Sequence, residues 1–358
     1  MRHRLFKLIA LAASLVVLFS AINAFAGTGK RIGTAGAMEL MIPVGARGTA
    51  LGGAFIAGIS GVDAMYWNPA GVAASSRAAE LMVSQMNYFA DIDVSYLAVQ
   101  ANLGKFGFLG ASIKSMNFGD IDETTNYAPD GTGSTFSPGY MVLGVTYARS
   151  MTDRIQFGFT TKLVSERVMD VSASGVAFDI GVQYNTQMGL KLGVVLKNIG
   201  SAMRFNGNAL EQNIDLPGYL VEPYAQRENL RIISQSFEMP TTMDIGLAYT
   251  MNPIEHHSVT VMGDFRNHQF GMDSFGGGLE YTFKMDKFSA SLRGGAMASQ
   301  DVENNKIVFK DDNNVNGPCF GGGLFYQLAQ QLSLNLEYAY RVNERLADNQ
   351  VFCITIGF

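Results

Sequence analysis

The sequence predicts an all-β membrane protein, an antiparallel transmembrane β-barrel of about fourteen strands with an N-terminal plug. Three observations lead there. Charged residues are only 16% of the chain, against roughly 25% in ordinary soluble domains, so part of the surface is not built to face water. From Glu80 onward apolar and polar residues alternate with a period of two, the mark of a strand with two unlike faces. After Gly27 no run of about 18 apolar residues occurs, which excludes a helical span and leaves strands to meet lipid.

The first segment points to export. Arg2, Arg4 and Lys7 precede an apolar run from Leu8 to about Ile22, and Ala24-Phe25-Ala26 follows. This reads as a signal peptide over residues 1–26, cut before Gly27, and the apolar run is short for a membrane anchor. The expected destination is the outer membrane of a Gram-negative-type bacterium, with outer-membrane lipid around the barrel. A net charge of −5 without a basic block excludes nucleic acid as a partner.

Residues 27–79 do not alternate and are rich in glycine and alanine. Gly45-Ala46-Arg47-Gly48, Gly52-Gly53-Ala54-Phe55 and Trp67-Asn68-Pro69-Ala70-Gly71 stand out. A phosphate-cradling loop is the competing reading, but no Lys-Ser/Thr pair follows and no βαβ pattern surrounds these glycines. A compact plug inside the barrel suits them better, because glycine lets backbone segments pack closely and Asn68-Pro69 with Gly71 makes a turn. Gly45, Arg47, Gly52, Gly53, Trp67, Asn68, Pro69 and Gly71 are the expected structural or gating residues of that plug.

The barrel is expected over 80–358. Strands are read near 80–89, 93–103, 105–115, 139–149, 154–167, 175–186, 189–199, 241–251, 257–267, 275–284, 287–297, 318–328, 331–341 and 350–358. Most are about ten residues, the length a tilted strand needs to cross a bilayer. Leu332, Leu334, Leu336, Tyr338 and Tyr340 form one face of such a strand, and Ser333, Asn335, Glu337 and Arg341 form the other. One face suits lipid and the other water. Short connections, such as Gly104 and Ala329-Gln330, alternate with long ones at 116–138, 200–240 and 298–317, the habit of outer-membrane barrels. An even strand count places both barrel ends on the periplasmic side. Phe352, Ile354, Ile356 and Phe358 alternate to a terminal aromatic, which resembles the signal that hands barrels to the outer-membrane assembly machinery.

Charged residues on the polar faces should point into the lumen, among them Lys162, Asp179, Lys197, Asp244, Asp264, Arg266, Glu280, Arg293, Glu337 and Arg341. Facing lipid, a basic one near the midplane would cost about 2–4 kcal/mol. They read as a pairing network supporting the plug, with a polar conduit as the alternative. Chemistry finds little support. Of four histidines, His3 lies in the signal peptide and His256-His257 in a turn read as solvated. No Cys/His cluster has metal-ligand spacing, and Asp311-Asp312-Asn313-Asn314 does not follow a calcium-loop pattern. No catalytic residue, metal or cofactor is assigned. Sequence leaves open whether Cys319 and Cys353 pair, with two buried or lipid-facing thiols without chemistry as the expectation.

Pro43-Val44-Gly45-Ala46-Arg47, Leu51-Gly52-Gly53-Ala54-Phe55, Tyr66-Trp67-Asn68-Pro69-Ala70-Gly71 and Gly189 to Gly200 resemble the PorV/PorQ family of FadL-like outer-membrane proteins. The resemblance implies a fourteen-stranded barrel with an N-terminal plug. It also implies a part in type IX protein secretion, binding or shuttling cargo through its C-terminal domain together with secretion-system subunits. The alternative is a FadL-like channel for hydrophobic small molecules such as long-chain fatty acids. In either case the long loops are the expected contact surface, through Phe118, Tyr127, Phe136, Tyr219, Tyr224 and Phe237.

Overall fold

The computed structural model describes residues 31–358 apart from 187, 215–227, 301–306, 309–315 and 344–345. The expected signal peptide, Tyr219, Tyr224 and the acidic run at 311–314 lie outside the described residues. Among the described residues fourteen long strands build the wall. They are β1 (Ala79–Asn87), β2 (Asp93–Asn102), β3 (Phe108–Asn117), β4 (Gly139–Ser150), β5 (Ile155–Val168), β6 (Val171–Asn185) and β7 (Leu190–Gly200), followed by β8 (Thr242–Ile254), β9 (His257–His268), β10 (Ser274–Lys284), β11 (Phe288–Gln300), β12 (Asn316–Gln327), β13 (Ser333–Asn343) and β14 (Asn349–Gly357).

Each strand is antiparallel to the next. β1 pairs β14 from Glu80↔Gly357 to Asn87↔Gln350, and β6 pairs β7, so the ladder closes on itself. Lipid offers the backbone no hydrogen-bond partner, and closure leaves no strand edge to satisfy. Along β4, Met141, Leu143, Val145 and Tyr147 are exposed to the outside, while Tyr140, Val142, Thr146 and Ala148 are buried. The same alternation runs along β2, where Leu97 and Val99 face out and Tyr96, Ala98 and Gln100 face in. The inner face is therefore not simply wet, as the alternation had suggested. It carries buried Met82, Met86, Val142 and Val164 because protein fills much of the lumen.

Several strand ends shift from expectation, and two of the shifts have a clear backbone cause. The β2–β3 turn takes five residues rather than Gly104 alone, since Gly104 and Gly107 adopt φ of 64° and 93° and the Leu103 N–H reaches the Gly107 carbonyl at 2.7 Å. This moves the start of β3 from 105 to Phe108. β6 begins at Val171 instead of 175, because Met169, at φ 50°, turns the chain within a two-residue hairpin that leaves Val168 facing Val171.

The segment before β1 occupies the lumen as a plug. Short elements suit its glycine content: α1 (Ala46–Ala50), α2 (Ala64–Trp67) and 3-10 turns at Met38–Met41 and Pro69–Ala74. It runs the length of the barrel. At the long-loop end the Gly33 and Gly36 N–H groups donate to the carbonyls of Phe270 and Glu238, and Arg31 pairs with Glu238 at 2.5 Å. At the short-turn end the Ala78 N–H donates to the Phe358 carbonyl, and Arg77 Nη2 donates to Gln327 Oε1 at 2.7 Å. Inward-facing glycines of the wall make room for it. A β-carbon at Gly158 would land on the backbone of Pro69, one at Gly181 on Asn68 Oδ1, and one at Gly295 on the backbone of Leu51.

Candidate functional site in the barrel lumen

The plug residues singled out by sequence are brought together, and most act by fixing backbone. Asn68 makes three bonds. Its Oδ1 accepts from the Ala70 N–H at 3.2 Å, capping the turn that Pro69 opens, and its Nδ2 donates to the carbonyls of Ile56 at 3.0 Å and Val182 at 3.4 Å. Gly71 closes the same knot, because its carbonyl accepts the Gly61 N–H and a β-carbon would meet the Ile59 carbonyl at 2.7 Å. Gly45, at φ 80°, donates its N–H to Ser84 Oγ on β1. Gly52, at φ 64°, lies against the backbone of Ala296 on β11, and Gly53, at φ 84°, lies beside the Arg266 guanidinium.

Arg47 is the plug's main polar anchor. Its Nε and Nη2 each donate at 2.8 Å to the Glu280 carboxylate on β10, and its guanidinium carbon lies 4.7 Å from the centre of the Phe55 ring. Burial opposes the charge, yet the neighbouring carboxylates together, Glu280 foremost with Glu337 and Asp63, outweigh it and hold Arg47 protonated more firmly than usual. Glu280 also accepts from Arg293 at 2.6 Å, and Arg293 reaches Glu337 at 3.0 Å. Elsewhere on the inner face Arg266 pairs with Asp244 at 3.0 Å and Lys162 with Asp179 at 2.5 Å. These charges do face inward and pair, as the alternation predicts.

Above this network lies a cavity of about 550 Å³ at the long-loop end. Tyr66 and Trp67 line its plug side, with their rings edge to face at 5.3 Å. They are pinned to the plug backbone, since the Tyr66 hydroxyl donates to the Ile42 carbonyl at 2.8 Å and Trp67 Nε1 to the Val44 carbonyl at 3.1 Å. Gly48 allows this, because a β-carbon there would run into the Trp67 ring. Met38, Met41, Met116, Met272, Met297, Tyr88, Phe89, Ile92 and Phe118 complete a largely apolar lining. Lys197, Arg266, His268 and Arg341 bring basic groups to the same space. Lys197 Nζ sits 4.4 Å from the Tyr66 ring centre and 5.5 Å from that of Trp67, so its charge is spread over aromatic faces. The volume and the mix of apolar walls with a few polar groups match those of small-molecule sites.

Among the described residues the loop aromatics occupy different places. Phe118 lines the cavity. Phe237 packs on Phe205 at 5.5 Å and over Gly36, where a β-carbon would strike its ring. Phe136 is half-buried in a small ladder of 121–122 with 135–136, and Tyr127 is fully exposed. His257 is not simply solvated, because its Nδ1 lies 2.6 Å from the Tyr281 hydroxyl. Cys319 and Cys353 are both free, buried and on the inward face. Sequence reasoning passed over the methionines. Their number, 19 in the chain, was the available signal, since Met is used where a surface must adapt to its contacts.

Fold and cavity together define a closed transmembrane β-barrel whose lumen is plugged below an apolar chamber. Solved structures with this architecture include the CymD monoaromatic hydrocarbon channel, with a TM-score of 0.53 at 12% identity over 88% of this chain and 98% of that one. The toluene transporter TodX of Pseudomonas putida aligns at 0.52 and 12% identity, over 86% and 96% of the two chains. The toluene transporter TbuX of Ralstonia pickettii aligns at 0.52 and 13%, over 88% and 98%. At these identities the likeness is one of fold. No protein-family model matches the chain, and no curated protein matches it by sequence.

Proposed function

We propose that this chain is an outer-membrane channel for hydrophobic small molecules, which enter from the long-loop side and dwell in the chamber above the plug. The observation that carries this reading is the 550 Å³ apolar cavity between the loop ends and the Tyr66–Trp67 pair. Apolar solutes gain about 25 cal/mol per Å² of surface removed from water, so a chamber lined by methionine and aromatic side chains favours them over polar ones. The solved barrels of like fold include a monoaromatic hydrocarbon channel and two toluene transporters, which supports the same class of ligand here. Onward passage requires the plug to move or the wall to part. We place the role in transport and not in catalysis.

The test uses a feature of the chain itself. Trp67 is the only tryptophan and lines the cavity, so its emission reports occupancy directly. Titrating the purified protein in detergent with toluene or a long-chain fatty acid should give a saturable change in emission. Met41→Asp, which places a charge in the lining, should weaken it at least tenfold. An emission unchanged by every apolar ligand tried would remove the proposal.

The plug motifs from Pro43 to Gly71 keep a second reading in view, that of a PorV-like barrel serving type IX secretion. This ranking reverses the order suggested by the motifs alone, because a lumenal chamber is used by a small molecule and not by a folded cargo domain. Recovery of secretion subunits or cargo C-terminal domains with the barrel, from detergent-solubilised membranes, would restore the first order.

A further inference from the structure

Below the chamber, three groups from distant parts of the chain converge between plug and wall. The carboxylate of Asp63, the carboxylate of Glu337 on β13 and the thiol of Cys353 on β14 offer donor atoms within 4.8 Å of one another. Asp63 stands at the N-cap of α2, where an aspartate ordinarily accepts a helix N–H, yet its side chain makes no capping bond. It is turned toward the wall instead. Glu337 is 5% exposed, and its Oε1 meets Arg293 at 3.0 Å while its Oε2 accepts no hydrogen bond from a described residue. A buried carboxylate oxygen without a donor is costly unless something cationic satisfies it.

The local charge points the same way. The charged groups that bear on Asp63 are Glu337, Arg47, Glu80 and Arg293, and both arginines are already engaged with Glu280. Counting Glu280, four carboxyl groups, Asp63, Glu80, Glu280 and Glu337, share this space with two guanidiniums. Glu80 is occupied elsewhere, since its Oε2 accepts from the Val62 N–H at 2.8 Å and from Gln100 at 2.9 Å. The donors left to share an ion are thus one carboxylate oxygen each from Asp63 and Glu337 and the Cys353 sulfur, whose side-chain contact is a long one of 4.0 Å to Thr355 Oγ1.

We propose that Asp63, Glu337 and Cys353 form a divalent-cation site, suited to Zn²⁺, that clamps the plug to the closing strands of the wall. Two oxygens with one thiolate are a borderline-soft donor set, which Zn²⁺ accepts at bond lengths of about 2.0–2.3 Å and which calcium or magnesium does not favour. Three protein ligands leave a fourth position for water. Binding releases the thiol proton to solvent, because only the thiolate is a ligand. The site joins α2 to β13 and β14, so an ion there ties plug position to metal supply.

The experiment uses the mature protein in detergent, stripped with EDTA and refilled with Co²⁺ as a spectroscopic stand-in for Zn²⁺. The expected result is one equivalent per chain, with a thiolate-to-cobalt charge-transfer band that added Zn²⁺ removes, and a higher Tm with Zn²⁺ than with EDTA. Cys353→Ser should abolish the band and Asp63→Asn should weaken binding at least tenfold, each checked for a folded barrel by heat-modifiable gel migration. Cys319→Ser should keep the band, and this control requires neither ligand variant to fold. Absence of the band in the unmodified chain, or its loss in Cys319→Ser, would overturn the proposal.

Discussion

Arg47 of the plug and Glu280 of the wall, 233 residues apart in sequence, meet through two parallel hydrogen bonds of 2.8 Å. The guanidinium fork matches the carboxylate, which ties the orientation of α1 to β10 as well as its distance. Removing the carboxylate with Glu280→Ala leaves Arg47 and Arg293 without their shared acceptor. Breaking a buried pair in this way costs about 3–5 kcal/mol. The midpoint of heat-modifiable gel migration should fall accordingly. Arg47→Lys, which keeps charge and loses the fork, should fall less.

Gly181 is a seat for the plug, since a β-carbon there would lie only 2.0 Å from Asn68 Oδ1. Asn68 is held by bonds to Ala70, Ile56 and Val182 and has little freedom to move aside. Gly181→Ala should destabilise by about 1–3 kcal/mol, as overpacking does. Gly277→Ala is the control, because nothing lies within 4 Å of its β-carbon position on the outer face. Thermal midpoints of the two variants should separate clearly, and equal midpoints would contradict the seating argument.

Asn68 can be tested by its two halves. Asn68→Ala removes the cap of the turn at Pro69–Ala74 and should cost about 1–2 kcal/mol. Asn68→Asp keeps the capping oxygen but replaces the donor facing the Ile56 and Val182 carbonyls with a negative charge. It should therefore be the more damaging of the two. Limited proteolysis of the plug, alongside melting, distinguishes a loosened plug from a failed barrel.

The outer face sets a dependence on depth. Leu143 lies at the middle of β4 and faces out, whereas Leu103 lies in the β2–β3 turn. Leu143→Arg should cost about 2–4 kcal/mol and Leu103→Arg about 0–1 kcal/mol, the values for midplane and interface. Refolding into lipid vesicles followed by urea unfolding measures both.

Legibility in the sequence followed the range of the interaction. Leu334, Leu336 and Tyr338 against Glu337 and Arg341 could be read directly, because successive side chains of a strand point to opposite faces. The inward direction of Glu280 and Arg293 came from the same rule. The hairpin at Met169–Asp170 was hidden, because nothing in those residues other than a left-handed Met169 marks the turn. The loop aromatics were read as one surface, yet Phe118 lines the chamber, Phe237 covers the plug and Tyr127 stands free, a division made by loop paths that no local pattern encodes.

Alternation, strand length and the spacing of turns were enough to determine a closed two-faced barrel with its charges turned inward, since each is a property of neighbouring residues and of the solvent that each face must meet. Only the tertiary structure decided that Arg47 meets Glu280, that Tyr66 and Trp67 line a chamber, and that Asp63 stands beside Glu337 and Cys353. The reason is geometric. Closing the cylinder and seating the plug bring together residues from opposite ends of the chain, and period-two patterning records which way a side chain points but not what it will find there.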